Sequence, residues 1–300
     1  MLHPNRCYYY LTYRCNSRCT YCNIWQSATE DKESSIETIK AHMGQLKEMG
    51  IQFIDFTGGE PLLKEGFPEI LKHAKALGFP TVFATNGILY AEYSKSINGV
   101  VDCINFSIDT LDHKKYRQRR GVDELDKVLM GIETAKQSGQ KMSLLVTVDE
   151  DNIDELPDLY ALAKQIGCEM NINPVFSYFK NERFTVQSIN RLLDFARHNS
   201  VYVNQGQISL ILDGGNKTNT PRCRAISRNI VISPDGYLLL PCYHKATKRV
   251  PIDGCIADTY NSEIVREIQP KEGGYPFCDG CTINCYMDTA NLRVGEYIPQ

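Results

Sequence analysis

The stretch Thr12–Trp25, TYRCNSRCTYCNIW, decides how the rest of the chain is read. Three cysteines, Cys15, Cys19 and Cys22, stand in the order C-x3-C-x2-C, with Tyr21 just before the third. Three thiolates do not complete a 4Fe-4S cluster, whose four irons each want a ligand. They leave one iron open, and an open coordination position separates a catalytic metal site from a structural one. The other reading is zinc, which wants four ligands, so its fourth would have to come from afar.

Composition narrows the setting. The 300 residues are 42% hydrophobic and 23% charged, enough for one large domain or two ordinary ones. A formal charge of −3 gives no basic footprint for nucleic acid. The apolar run INGVVDCINFSI is broken by Asp102, and nothing approaches the roughly 18 apolar residues of a membrane span. The opening MLHPNRCYYY lacks a signal peptide's basic and apolar regions, so a cytoplasmic location is expected. In such a chain the glycosylation pattern NKT at Asn216 is a chance match. Twelve cysteines then call for metal or chemistry rather than disulfides. Five lie late, at Cys223, Cys242, Cys278, Cys281 and Cys285. Cys7, Cys103 and Cys168 read as small buried hydrophobes. For Cys255, core residue, ligand and catalytic thiol all stay open.

Strand and helix alternate outward from the cysteine loop. CYYYLTY reads as the strand leading into it, and SSIETIKAHMGQLKEMG as a helix capped by Ser34 or Ser35 and stopped at Gly50. IQFIDF, TVFAT, CINFSID, KMSLLVTV and CEMNINPV supply five more strands. Helices fit Phe67–Leu77, GVDELDKVLMGIETAKQSG, NIDELPDLYALAKQIG and TVQSINRLLDFARHN. Six strands alternating with helices predict a parallel α/β sheet with right-handed crossovers. Past about residue 205 the pattern gives way to RNIVISPDGYLLLPC, a hairpin turning at PDG, and then to cysteine-bearing loops. A first unit over 1–205 and a second over 206–300 are expected.

TGGEPLL, Thr57 to Leu63, ends the second strand. Its glycines would let a ligand approach the backbone, and Glu60 would accept hydrogen bonds from an amine. With ATNG ending the third strand and FSID the fourth, these motifs resemble the radical S-adenosylmethionine (SAM) superfamily over roughly residues 7–200. The resemblance implies a partial (β/α)6 barrel resembling an incomplete TIM barrel. It implies a 4Fe-4S cluster on Cys15, Cys19 and Cys22 whose open iron binds SAM, cleaved to a 5′-deoxyadenosyl radical that abstracts a substrate hydrogen. Gly58, Gly59 and Glu60 would then hold the methionine amino group, and Tyr21 would lie near the adenine. Ser107 and Asp109 would reach the ribose or carboxylate, with Asn86 a further candidate. Arg120 would pair with the carboxylate or lie on a solvated basic face.

The late cysteines resemble the SPASM/twitch extension of these enzymes. Five in matching positions imply one auxiliary 4Fe-4S cluster, with Cys223, Cys242 and two of Cys278, Cys281 and Cys285 as ligands. A structural zinc knuckle is the alternative. The resemblance further implies a small-molecule substrate and an electron donor such as a flavodoxin or ferredoxin. A SPASM-type peptide or protein maturase is the second reading, and a non-catalytic iron–sulfur or zinc scaffold the third. Tyr178, Phe179, Arg183, Tyr243 and His244 are candidates for a pocket wall.

Overall fold

The computed structural model describes residues 4–27, 32–176 and 184–287. Six parallel strands form the scaffold: β1 (Arg6–Thr12), β2 (Phe53–Gly58), β3 (Val82–Thr85), β4 (Cys103–Ser107), β5 (Met142–Val148) and β6 (Glu169–Pro174). The helices between and after them are α1 (Ile36–Glu48), α2 (Phe67–Ala76), α3 (Tyr90–Ile97), α4 (His113–Arg120), α5 (Leu125–Gln137), α6 (Leu156–Ile166) and α7 (Val186–His198). Local chemistry sets their ends. Ser35 caps α1 by accepting from the Thr38 amide, and Asp112 and Thr185 do the same for α4 and α7.

The strands turn alternate side chains to opposite faces, most regularly in β2 and β6. Tyr9, Ile54, Phe56, Phe83, Ile104, Phe106, Leu144, Val146 and Ile172 face outward into one apolar core shared with the helices. The opposite face carries Asp55, Thr57, Asn105, Ser107, Thr147, Asn171 and Asn173, all half-buried, and Ala84, which is exposed in the middle of β3. A mid-strand alanine stays exposed only where the sheet curves around open space. The strands therefore wall a lumen with a polar lining, and the architecture is the partial (β/α)6 barrel that the motifs implied.

Two five-stranded sheets make the wall. One runs β3-β4-β5-β6 and adds the short β7 (Tyr202–Val203). The other places β8 (Asn229–Ile232), β9 (Tyr237–Leu240) and β10 (Lys248–Pro251) beside β1 and β2, in the order β10-β9-β8-β1-β2. The hairpin at PDG is present, with Gly236 at φ 83°. What periodicity did not reveal is that β8 pairs in parallel with β1, Arg6 to Asn229 through Tyr9 to Ile232. The hairpin thus extends the barrel's own sheet. The helices α8 (Gln205–Leu212), α9 (Ile256–Tyr260) and α10 (Glu263–Ile268) complete the described chain. The sequence pattern also passed over α3, whose polar face hides its period, and α8, whose eight residues QGQISLIL are too short to show one.

Candidate active site

The cysteine loop leaves the C-terminal end of β1, on the side of a parallel α/β sheet where ligands bind. Two glycines hold it there. The Gly59 amide donates to Thr12 O and the Glu60 amide to Arg14 O, both at 2.8 Å. A Cβ on Gly58 would lie 2.1 Å from Thr12 O, and one on Gly59 would lie 2.0 Å from Arg14 O. The space beside both glycines is filled by the chain itself. They seat the cysteine loop on the end of β2.

Glu60 faces inward and is 1% exposed. Its carboxylate accepts from Thr85 Oγ1 (2.8 Å), the Asn86 amide (2.8 Å) and the Leu62 amide (3.2 Å). Burial pushes its pKa up to about 7, and none of these three donors is cationic. A buried carboxylate so placed fits an ammonium group, which would stabilise its charged form. Asn86 joins this carboxylate to the loop: its side chain donates to Asn16 Oδ1 (2.6 Å) and lies 3.9 Å from Cys15 Sγ.

On the other side of the loop Tyr21 and Asp109, both expected near SAM, are joined to each other. Tyr21 OH donates to Asp109 Oδ2 at 2.6 Å, and Asp109 is fully buried beneath it. Arg119 and Arg120 lie over the Tyr21 ring, at 5.4 and 5.6 Å from its centroid. Arg120 is 5% exposed, so the basic run KKYRQRR does not place it on a solvated face; it is buried in an ion pair with Asp109. Ser107 ends β4 on the lumen face, with no side-chain hydrogen bond among those described.

Cys19 is the most buried of the three loop cysteines, and all three are free thiols. Burial pushes Cys15 up to about 11 and Cys22 up to about 12. Thiols held neutral by desolvation become thiolates when a cationic centre binds them. Among the described residues, no three Cys, His, Asp or Glu side chains converge closely enough for a single ion. A cluster asks for a different arrangement, sulfurs disposed around a cube of iron and sulfide.

The late cysteines divide. Cys223, Cys242, Cys278 and Cys281 line one cavity of about 230 Å³, and Cys285 is not on its wall. Burial raises all four thiols, Cys242 to about 12. Asn216 holds this cradle together: its side chain donates to Gly273 O (2.8 Å) and Cys278 O (3.1 Å) and accepts from the Arg222 amide (2.9 Å). That side chain is fully buried, so the glycosylation pattern around it is indeed a chance match. Gly215 lies so close to Gly280 that a Cβ would meet its carbonyl oxygen at 2.3 Å. Cys285 instead neighbours the lumen pair Arg6 Nη1–Asp55 Oδ2 (2.8 Å), and its carbonyl accepts from Tyr8 OH (2.9 Å). It is exposed, and its thiol is raised to about 11 by desolvation and by the nearby Asp55 carboxylate.

Between the cysteine loop and the hairpin lies a second cavity of about 740 Å³, walled by Tyr13, Arg14, Asn23, Tyr243, His244 and Arg249. Two of the expected pocket residues, Tyr243 and His244, are therefore on it. Tyr178, Phe179 and Arg183 lie outside the described residues. His244 also lines the four-cysteine cradle and is held neutral by burial, its pKa lowered to about 3.

Comparison with known proteins bears on this geometry. The model of the radical SAM superfamily matches residues 9–163, a little over half of the chain. A probable GTP 3′,8-cyclase of Archaeoglobus fulgidus is 36% identical over 152 residues, 49% of this chain and about half (51%) of that protein's length. One of Methanocella arvoryzae is 27% identical over 280 residues, 87% of this chain and 89% of that protein. Among solved structures, Streptococcus suis SuiB bound to S-adenosylmethionine superposes with a TM-score of 0.70 at 16% identity, covering 94% of this chain and 69% of that one. Native anSMEcpe with bound AdoMet gives 0.66 at 18% identity, covering 89% and 83%. With the family's sequence model on the half that carries the three-cysteine loop, the chain belongs to the radical SAM superfamily.

Proposed function

We propose that this radical SAM enzyme modifies a polar small molecule of the nucleotide class, held in the barrel lumen between the loop cluster and the cradle cluster. The observation that carries the proposal is the lumen face. Asn171 Nδ2 donates to Ser143 Oγ (2.9 Å), which donates to Asn105 Oδ1 (2.6 Å), a polar ladder across β6, β5 and β4. A separate polar pair, Arg6–Asp55, stands on the same side of β1 and β2. Such a wall matches a ligand rich in donors and acceptors rather than an apolar one. The relatives named GTP 3′,8-cyclase make GTP the first compound to try.

When bound, the cluster and SAM supply a hydrogen-abstracting radical. The chain's own residues bind and orient. In this reading Cys15, Cys19 and Cys22 hold the first cluster, and Glu60 accepts hydrogen bonds from the methionine amino group. Gly58 and Gly59 keep the loop in register with it, while Asn86 fixes Cys15 relative to Glu60. Tyr21 and Asp109 brace the far side of the loop, and Ser107 faces the lumen from the tip of β4. Residues 206–300 form the auxiliary unit, with Cys223, Cys242, Cys278 and Cys281 closing its cluster and Cys285 left as a free thiol. A reduced one-electron carrier protein supplies the electron.

The test is isotopic. Protein reconstituted without oxygen is incubated with SAM, a reductant and GTP deuterated on the ribose, and 5′-deoxyadenosine is weighed by mass spectrometry. Deuterium in it, with a new product, supports the proposal. Unlabelled 5′-deoxyadenosine at the same slow rate with and without GTP removes GTP, and the same result across other nucleotides and nucleosides removes the class.

A further inference from the structure

Arg120 closes α4, and the cysteine loop rests on that last turn. The Arg18 amide donates to Arg120 O (2.7 Å) and the Thr20 amide to Arg119 O (2.9 Å). Gly121 follows at φ 69°, and a Cβ there would lie 2.6 Å from Arg18 O. These backbone contacts join the loop to the helix without drawing on a side-chain charge. Yet the Arg120 guanidinium extends under the loop, where Nη1 donates to Cys19 Sγ at 3.8 Å. Nη2 lies 2.9 Å from Asp109 Oδ2, and Nε and Nη2 make no hydrogen bond although both are buried. Arg119 pairs with Asp149 (2.8 Å) and flanks Asp109 at 3.9 Å.

Two arginines and two aspartates sum to zero charge, but they are not arranged symmetrically. The positive end touches the sulfur, and Asp109 stands behind it. In an interior of low effective dielectric, such an ordered pair projects a field that water does not screen. Burying it is costly, and the fold gains little stability from an ion pair in this position.

We propose that Arg120 is a positioning residue that raises the reduction potential of the cluster on Cys15, Cys19 and Cys22, with Asp109 limiting how much of its charge the cluster feels. The inference rests on the cluster reading above. Reduction adds one electron to the cluster, and a fixed positive charge at one ligand sulfur stabilises the reduced form. No proton or group is transferred. Because the guanidinium does not deprotonate in proteins, the effect is constant across pH.

The experiment is a potentiometric titration of full-length reconstituted protein, followed by electron paramagnetic resonance, with iron content measured alongside. Arg120→Gln is expected to make the loop cluster about tenfold harder to reduce, which is 59 mV for a one-electron couple. Asp109→Asn is expected to shift it the opposite way, and Arg120→Lys to stay nearer the native value than Arg120→Gln. The cradle cluster should not move in any of them. Shifts of the same sign in Arg120→Gln and Asp109→Asn, or no shift in clusters that load normally, overturn the proposal. If Arg120→Gln loses its iron, Asp109→Asn decides alone: a positive shift supports the proposal, and no shift or a negative one overturns it. Loss of the loop cluster in both variants also overturns it, since the quartet would then be a structural brace. Absence of a loop cluster in the native protein is a different failure, that of the cluster reading itself.

Discussion

The chain holds two groups of cysteines, and they are built in opposite ways. The loop group lies within eight residues, Cys15 to Cys22, at the end of one strand. The cradle gathers Cys223, Cys242, Cys278 and Cys281 from separate segments over a buried asparagine. In the proposed reading the loop supplies three thiols and leaves a position for a reactant, whereas the cradle supplies four and closes its cluster. The first group is local in sequence; the second is assembled by the fold. A closed cluster moves electrons, and an open one binds a molecule.

The largest effect that tests this contrast comes from the loop. Replacing Cys15, Cys19 and Cys22 together by alanine should abolish 5′-deoxyadenosine formation. It should leave the iron and sulfide of the cradle, about half of the roughly eight irons that two four-iron clusters carry. Retained SAM cleavage in that variant would break the comparison outright. Cys242→Ala should do the reverse, losing about half of the iron while still releasing 5′-deoxyadenosine. If it instead becomes insoluble, the cradle is chiefly a staple for the C-terminal segment.

Glu60 gives the next effect. Burial raises its carboxylate pKa to about 7, and in the proposed reading the ionised form is the stronger acceptor for the methionine amino group. SAM affinity measured by equilibrium binding should therefore rise as pH climbs from 6 to 8, by up to about tenfold per unit below pH 7. Glu60→Gln should bind more weakly at pH 8, by about 1.4 kcal/mol or more, and lose the pH slope. An unchanged affinity removes Glu60 from the site. The smallest effect is the sharpest for ligand assignment. Cys285→Ser should keep its full iron content, because that thiol faces Arg6 and Asp55 rather than the cradle. Loss of iron in Cys285→Ser would return it to the ligand set in place of one of the four.

How much of this could be read from the sequence follows the same contrast. The loop cysteines, the GGEP turn and the six strands were legible because each is a local pattern: a spacing, a cap or an alternation. The burial of Arg120 was not. KKYRQRR reads as a solvated run, and only the close approach of Arg18 to Gly121 shows that this helix end lies under the loop. Nor was the choice among Cys278, Cys281 and Cys285, since spacing alone does not say which of the three is surplus. Tyr8 and the Arg6–Asp55 pair separate Cys285 from its neighbours, through contacts some 277 residues apart in the chain. Asn216 was read only as a chance glycosylation match; its role in the cradle exists only once Gly273, Cys278 and Arg222 surround it.

The parallel pairing of β8 with β1 has a consequence for how the protein is made. β1 leaves the ribosome well before the partner for its outer edge, which begins at Asn229. At synthesis rates of roughly 5–20 residues per second, that edge waits on the order of ten to forty seconds. During that time Tyr8 and Tyr10 lie on a strand with a free row of amides and carbonyls, the kind of edge that other chains join. A nascent chain halted before residue 229 would carry that edge without its partner. Such fragments should collect on chaperones or in aggregates, and slower growth at low temperature should raise the yield of full-length protein more than it helps fragments cut at the proposed domain boundary.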